Sequence, residues 1–97
     1  MNNEITSDTD SLQREFVVEI LRYLVAHPKA KDTINGIGKW WLSRTVSLEG
    51  RNKLSEALEL LVSRGWLISR VSPQSETIYS LNENSVDEIN KFIERKA

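Results

Sequence analysis

The 97-residue chain has no cysteine and a single histidine. Without a thiol there is no disulfide framework, no Cys-ligated zinc site and no thiol nucleophile, and one imidazole leaves most catalytic and metal constellations without a partner. Glycine and proline are scarce, at four and two, which excludes a fibrous repeat and a low-complexity disordered tract. No apolar run reaches the length that spans a bilayer, and the N-terminal stretch lacks the basic and hydrophobic segments of a signal peptide. Neither sign of charge dominates: 13 Lys and Arg stand against 14 Asp and Glu, a net −1. The global positive field that advertises nucleic-acid binding is therefore missing. The expectation is a cytoplasmic protein with no metal, no cofactor and no membrane segment.

What is present supports one hydrophobic core, since 39% of the residues are apolar in a chain long enough to fold without covalent or metal staples. Residues 1–9 are polar and are expected as a disordered tail, ahead of a single domain over 10–97. From Asp10, a candidate cap with Gln13 at the capping-box position, Leu12, Phe16, Val17, Ile20, Leu21, Leu24 and Val25 recur at helical spacing. Pro28 disfavours helical geometry at His27 and stops this helix near Ala26. A polar link over 28–31 precedes a second helix from about Thr33 to Ser43, capped by Asp32 or Thr33, with Ile34, Ile37 and Trp41 on one face. Gly36 and Gly38 each cost that helix roughly 1 kcal/mol relative to Ala, which points to close approach of another backbone.

A third helix over 48–64 buries Leu54, Ala57, Leu58, Leu61 and Val62, and Gly65 stands where a left-handed cap belongs. The period then becomes extended. Trp66 to Val71 and Thr77 to Leu81 flank Ser72, Pro73, Gln74, Ser75 and Glu76, a β-hairpin with a loop of about five residues. A last helix over 85–96 carries Val86, Ile89, Phe92 and Ile93, with Ser85 and Glu88 in capping-box spacing. The fold class read from this order is mainly α with a small β-hairpin. The last helix is expected either to cover the first, in a monomer, or to pair with a copy of itself in a homodimer.

The run Leu58-x-x-Leu61-Val62-x-x-Gly65-Trp66-Leu67, followed by Tyr79-x-Leu81, resembles the winged helix-turn-helix superfamily of bacterial DNA-binding domains, over roughly residues 12–81. The resemblance implies that the third helix, 48–64, is a recognition helix set in the major groove of double-stranded DNA and that the hairpin is a wing against the flanking backbone. It also implies a role in transcription regulation. Local charge is compatible: residues 27–53 hold six basic against two acidic residues, while the segments on either side are net acidic. Lys39, Arg44, Arg51, Lys53 and Arg70 are the candidate phosphate contacts, and Asn52 and Ser55 the candidate base readers.

Two features pull the other way. The face of the third helix opposite its apolar stripe holds Glu49, Glu56 and Glu59 with Lys53 as its one cation, and the hairpin loop contains Glu76 and no cation. The alternative is a protein-interaction or assembly module, in which Trp40 is either an exposed interface anchor or a cover for the hairpin. Trp41 is expected in the core beside Ile34 and Ile37. His27 reads as structural, at a helix C-terminus with no second His or Cys to complete a metal site. Gly36-Ile37-Gly38-Lys39 lacks the spacing of a phosphate-binding loop. The carboxylates Glu56, Glu59, Asp87 and Glu88 read as solvated surface, so no catalysis is expected.

Overall fold

The computed structural model describes the backbone of residues 3–96 and the side chains of residues 11–95. In chain order the elements are α1 (Asn3–Ala26), β1 (Lys31–Asp32), α2 (34–41), α3 (Leu48–Ser63), β2 (Leu67–Val71), β3 (Thr77–Leu81) and α4 (Val86–Lys96). The element α2 opens as one α-helical turn, Ile34–Gly36, and widens into a π-helical turn, Ile37–Trp41. The protein is mainly helical, with a small three-stranded antiparallel sheet in the order β1-β3-β2.

The stripe on α1 behaves as its spacing predicts: Phe16, Val17, Ile20, Leu21 and Leu24 are all buried. The helix ends at Ala26, where the His27 N–H makes a last bond of 2.8 Å to the Tyr23 carbonyl. Its start differs from expectation. The helix reaches back to Asn3, so the tail expected over 1–9 is helical from there and Asp10 is an interior residue rather than a cap; Met1 and Asn2 lie outside the described residues. No Pro or Gly interrupts residues 3–10, so nothing in that stretch breaks a helix.

The link after α1 is also more ordered than its polarity suggests. Lys31 and Asp32 pair with Ser80 and Tyr79, adding a third strand to the hairpin. Thr33 then caps α2 by accepting from the Gly36 N–H at 3.3 Å, while Asp32 Oδ1 accepts from the Thr33 N–H at 2.8 Å. The crowding at the two glycines comes from side chains, not from another backbone. A Cβ on Gly36 would run into the Asp32 carboxylate, and one on Gly38 would stand 3.3 Å from Leu54 Cδ2. Trp41 is buried, stacked on Tyr23 with ring centroids 4.9 Å apart.

Ser47 caps α3, accepting from the Gly50 N–H at 3.0 Å, and Gly50, Leu54, Ala57, Leu58 and Leu61 form its buried face. Val62, expected in that stripe, lies at its half-buried margin. At the other end Gly65 takes φ +82°, and the N–H groups of Gly65 and Trp66 return to the Val62 and Leu61 carbonyls at 2.9 and 3.0 Å. A Cβ at Gly65 meets no heavy atom within 4 Å, so a substitution there is penalised by backbone conformation alone. Gly65→Ala should therefore lose about 1–2 kcal/mol of stability, read as a lower denaturant midpoint with an unchanged slope.

The hairpin pairs Leu67 with Leu81 through Val71 with Thr77. The capping box expected at α4 does not form. Ser85 Oγ donates to the Gly65 carbonyl at 3.1 Å, and Glu88 accepts from the Trp66 indole N–H at 3.3 Å. Both side chains tie α4 to the α3–β2 corner instead, and Asn82 reinforces the corner by donating to the same Gly65 carbonyl at 2.6 Å. α4 packs on α1 with Ile89 fully buried, so its apolar face covers its own domain. The core draws on α1, the π-helical turn, α3, the hairpin and α4, and no buried polar or charged residue occurs among the described residues.

Candidate nucleic-acid interface

The turn between α2 and α3 is irregular, and its walls leave a groove of about 440 Å³. Lys39 from the π-helical turn, Arg44 from the connection and Arg51 from the first turns of α3 all line it, with Asn35, Ser43 and Thr45 as neutral polar neighbours. No Asp or Glu is among its lining residues. Three of the candidate phosphate contacts are thus brought to one concave surface by elements that the sequence separates.

These three cations are not equivalent. Arg44 reaches back to α1, with Nη1 2.8 Å from Glu15 and Nη2 2.7 Å from Glu19. Glu19, then Glu15, raise its pKa above an already high ordinary value. Glu19 also accepts from the Ser43 N–H at 3.2 Å, so the carboxylate closes the end of α2 as well as holding the arginine. Arg44 fastens the turn to α1 and its charge is largely offset. The net positive charge of the groove comes from Lys39 and Arg51, both exposed and neither within ion-pair distance of a carboxylate among the described residues.

The remaining candidates lie elsewhere. At about 100° per residue, Arg51 and Lys53 fall on opposite flanks of α3. Lys53 is half-buried on the side of α1, bonded to Glu56 at 3.2 Å, and Gln13 of α1 donates to the same Glu56 oxygen at 3.4 Å. Asn52 is exposed at the centre of the outer face and Ser55 is half-buried beside it; Glu49, Glu56 and Glu59 are exposed on that face. Arg70 belongs to the sheet. Leu67 and Leu81 are paired and buried, so strand alternation puts Ile68 and Arg70 on the opposite, outer side, which Ser80 and Lys31 share through the strand register. The hairpin loop contributes no cation and is folded on Ser72, whose Oγ accepts from the Gln74 and Glu76 N–H groups at 3.2 Å each.

Trp40 is 68% exposed, with Lys39 Nζ 5.5 Å from its ring centroid. It therefore covers neither the hairpin nor the core. Leu48, which sequence reasoning passed over, is 89% exposed at the first position of α3. The Arg44 clamp was missed as well, although a signal for it exists. Glu15 and Glu19 are like charges at i and i+4, an arrangement that weakens an isolated helix and calls for a cation from elsewhere. His27 is exposed, and its ring packs on Tyr23 with centroids 4.4 Å apart.

Close to the outer face of α3, burial and secondarily the Glu59 carboxylate push the Tyr79 phenol above its ordinary 10.0. The phenol ionises more readily in the unfolded chain. Its contribution to stability is thus complete below pH 10.0 and is lost as pH rises through the folded value. In alkaline denaturant titrations, the stability of the wild type should fall away relative to Tyr79→Phe. Parallel curves through that range would contradict the burial assigned to this ring.

No family model matches the chain, and no curated protein or solved structure matches it either. Among the described residues no helix is long and apolar enough to cross a membrane.

Proposed function

We propose that the chain is a winged helix-turn-helix domain that binds duplex DNA, with α3 directed to the major groove, the β2–β3 hairpin as wing, and regulation of transcription as its role. The observation that carries this reading is the groove at the α2–α3 turn, which is lined by Lys39, Arg44 and Arg51 and by no carboxylate. Phosphate oxygens are the ligands that such a surface suits, and the turn ahead of a recognition helix is where a helix-turn-helix meets the DNA backbone. Three helices followed at once by a hairpin support the same assignment. Because α4 packs on α1 and buries Ile89 in its own domain, the reading is of a monomer on a site that need not be palindromic.

The test is a gel shift with random-sequence duplex DNA over a range of salt. Retention at ~50 mM salt that weakens steeply with added salt is the expected result, since phosphate contacts release counterions. No retention at ~50 mM, where non-specific attraction is strong, overturns the reading.

A second reading has its own observation in its favour. Trp40 and Leu48 are large apolar side chains in solvent near the two ends of that turn, and the outer face of α3 is rich in glutamate. A protein partner would use them as anchors. On that reading Trp40→Ala is the damaging change and the cations matter little.

A further inference from the structure

A second concavity lies where α1, the C-terminal turn of α3, the residue ahead of β2 and α4 converge. Its volume is about 450 Å³, within the ~300–1,000 Å³ of small-molecule sites. The walls are largely apolar. Val18 and Leu60 stand at its sides, the latter 40% exposed, and Trp66 and Phe92 meet edge to face with centroids 5.4 Å apart. Two arginines, Arg14 and Arg64, complete the lining, and no Asp or Glu does. Neither guanidinium is within ion-pair distance of a carboxylate among the described residues. Arg64 is held over the Trp66 ring with its central carbon 5.2 Å from the centroid. The guanidinium thus lies against the apolar wall while the side chain stays exposed to solvent.

We propose that this groove is a binding site for a small anionic amphiphile, a carboxylate with an apolar tail of the medium-chain fatty-acid kind. The tail covers Val18, Leu60 and the Trp66–Phe92 pair. The head group takes the Arg14 and Arg64 guanidiniums, whose planar forks suit a carboxylate. Charge complementarity selects this occupant over a neutral one: an uncharged apolar molecule would dry the walls and leave two arginines unmatched. The site is separate from the α2–α3 groove and does not depend on the function proposed for it.

The 97-residue chain should be titrated with decanoate below its micelle-forming concentration and, in parallel, with decanol, following ¹H–¹⁵N spectra. Saturable binding of decanoate that moves the Trp66 indole resonance and leaves that of Trp40 in place is expected. Decanol should bind about tenfold more weakly or worse, the loss that follows from removing a charge-assisted contact. The double variant Arg14→Gln, Arg64→Gln should bring decanoate down to the decanol level while keeping the wild-type circular dichroism. Equal binding of decanoate and decanol by the wild type, or a Trp66 resonance that does not move, overturns the proposal. So does a folded double variant that binds decanoate undiminished. Should the double variant unfold, the wild-type comparison of acid with alcohol still decides.

Discussion

Leu58→Ala is expected to cost roughly 2–5 kcal/mol of folding free energy. The side chain has 0% exposure, as do Ala57 and Leu61 beside it on α3 and Ile20, Leu21 and Leu24 in the same core. Truncation removes buried methyl groups, and the surrounding helices close only partly over the space they leave. The upper part of that range applies where the neighbours are themselves immobile. Here they belong to α1, packed on both α3 and α4, and to a corner tied by the Asn82 and Ser85 bonds to the Gly65 carbonyl. A domain of this size has about 5–15 kcal/mol in total, so the variant stands near the edge of folding at 37 °C. Asn52→Ala, on the exposed outer face of the same helix, should stay within about 0.5 kcal/mol of wild type. Urea unfolding of the pair is the measurement. A loss at Leu58 below about 1 kcal/mol would mean that α3 presents a different face to the core.

The elements that could be read from the sequence are those with enough periodicity to average over. The stripe from Phe16 to Leu24, the stripe from Leu54 to Leu61, and the strands around the Ser72–Glu76 loop all fall where their spacing predicts. Gly65 was legible for a different reason: a lone glycine just past a helical stripe has few other uses. What escaped was set by partners distant in sequence. Two residues, Lys31 and Asp32, carry no period, and only the exposed edge of β3 makes them a strand. Ser85 and Glu88 have capping-box spacing, yet the Gly65 carbonyl and the Trp66 indole compete for them successfully because the corner is packed against α4. The candidate site was legible as a list of cations but not as a surface. Spacing alone separates Arg51 from Lys53 on α3; it does not reveal that Arg44 is clamped by Glu15 and Glu19.

That distinction sets the second large effect. Lys39→Gln combined with Arg51→Gln is expected to lower affinity for random duplex DNA on the order of a hundredfold at low salt, and to reduce the logarithmic salt slope by about 2. The two cations supply the uncompensated charge of the α2–α3 groove, and each phosphate they neutralise releases about one condensed counterion. Both are exposed, so the double variant should keep its stability, and a change in binding reports on the surface itself. Arg44→Gln should behave differently. It leaves Glu15 and Glu19 unmatched on α1, so lost stability accompanies any loss of binding, and the two effects separate in a denaturant titration. Arg70→Gln should reduce the slope by about 1 if the sheet's outer side lies along the flanking backbone. Asn52→Ala should alter preference among sequences and leave the slope unchanged, because a base contact releases no counterion. Glu49, Glu56 and Glu59 are exposed on the outer face of α3 and offer the DNA no further attraction. If the Lys39, Arg51 double variant binds as tightly as wild type, the groove is not the phosphate site, and the exposed pair Trp40 and Leu48 becomes the surface to pursue with protein partners.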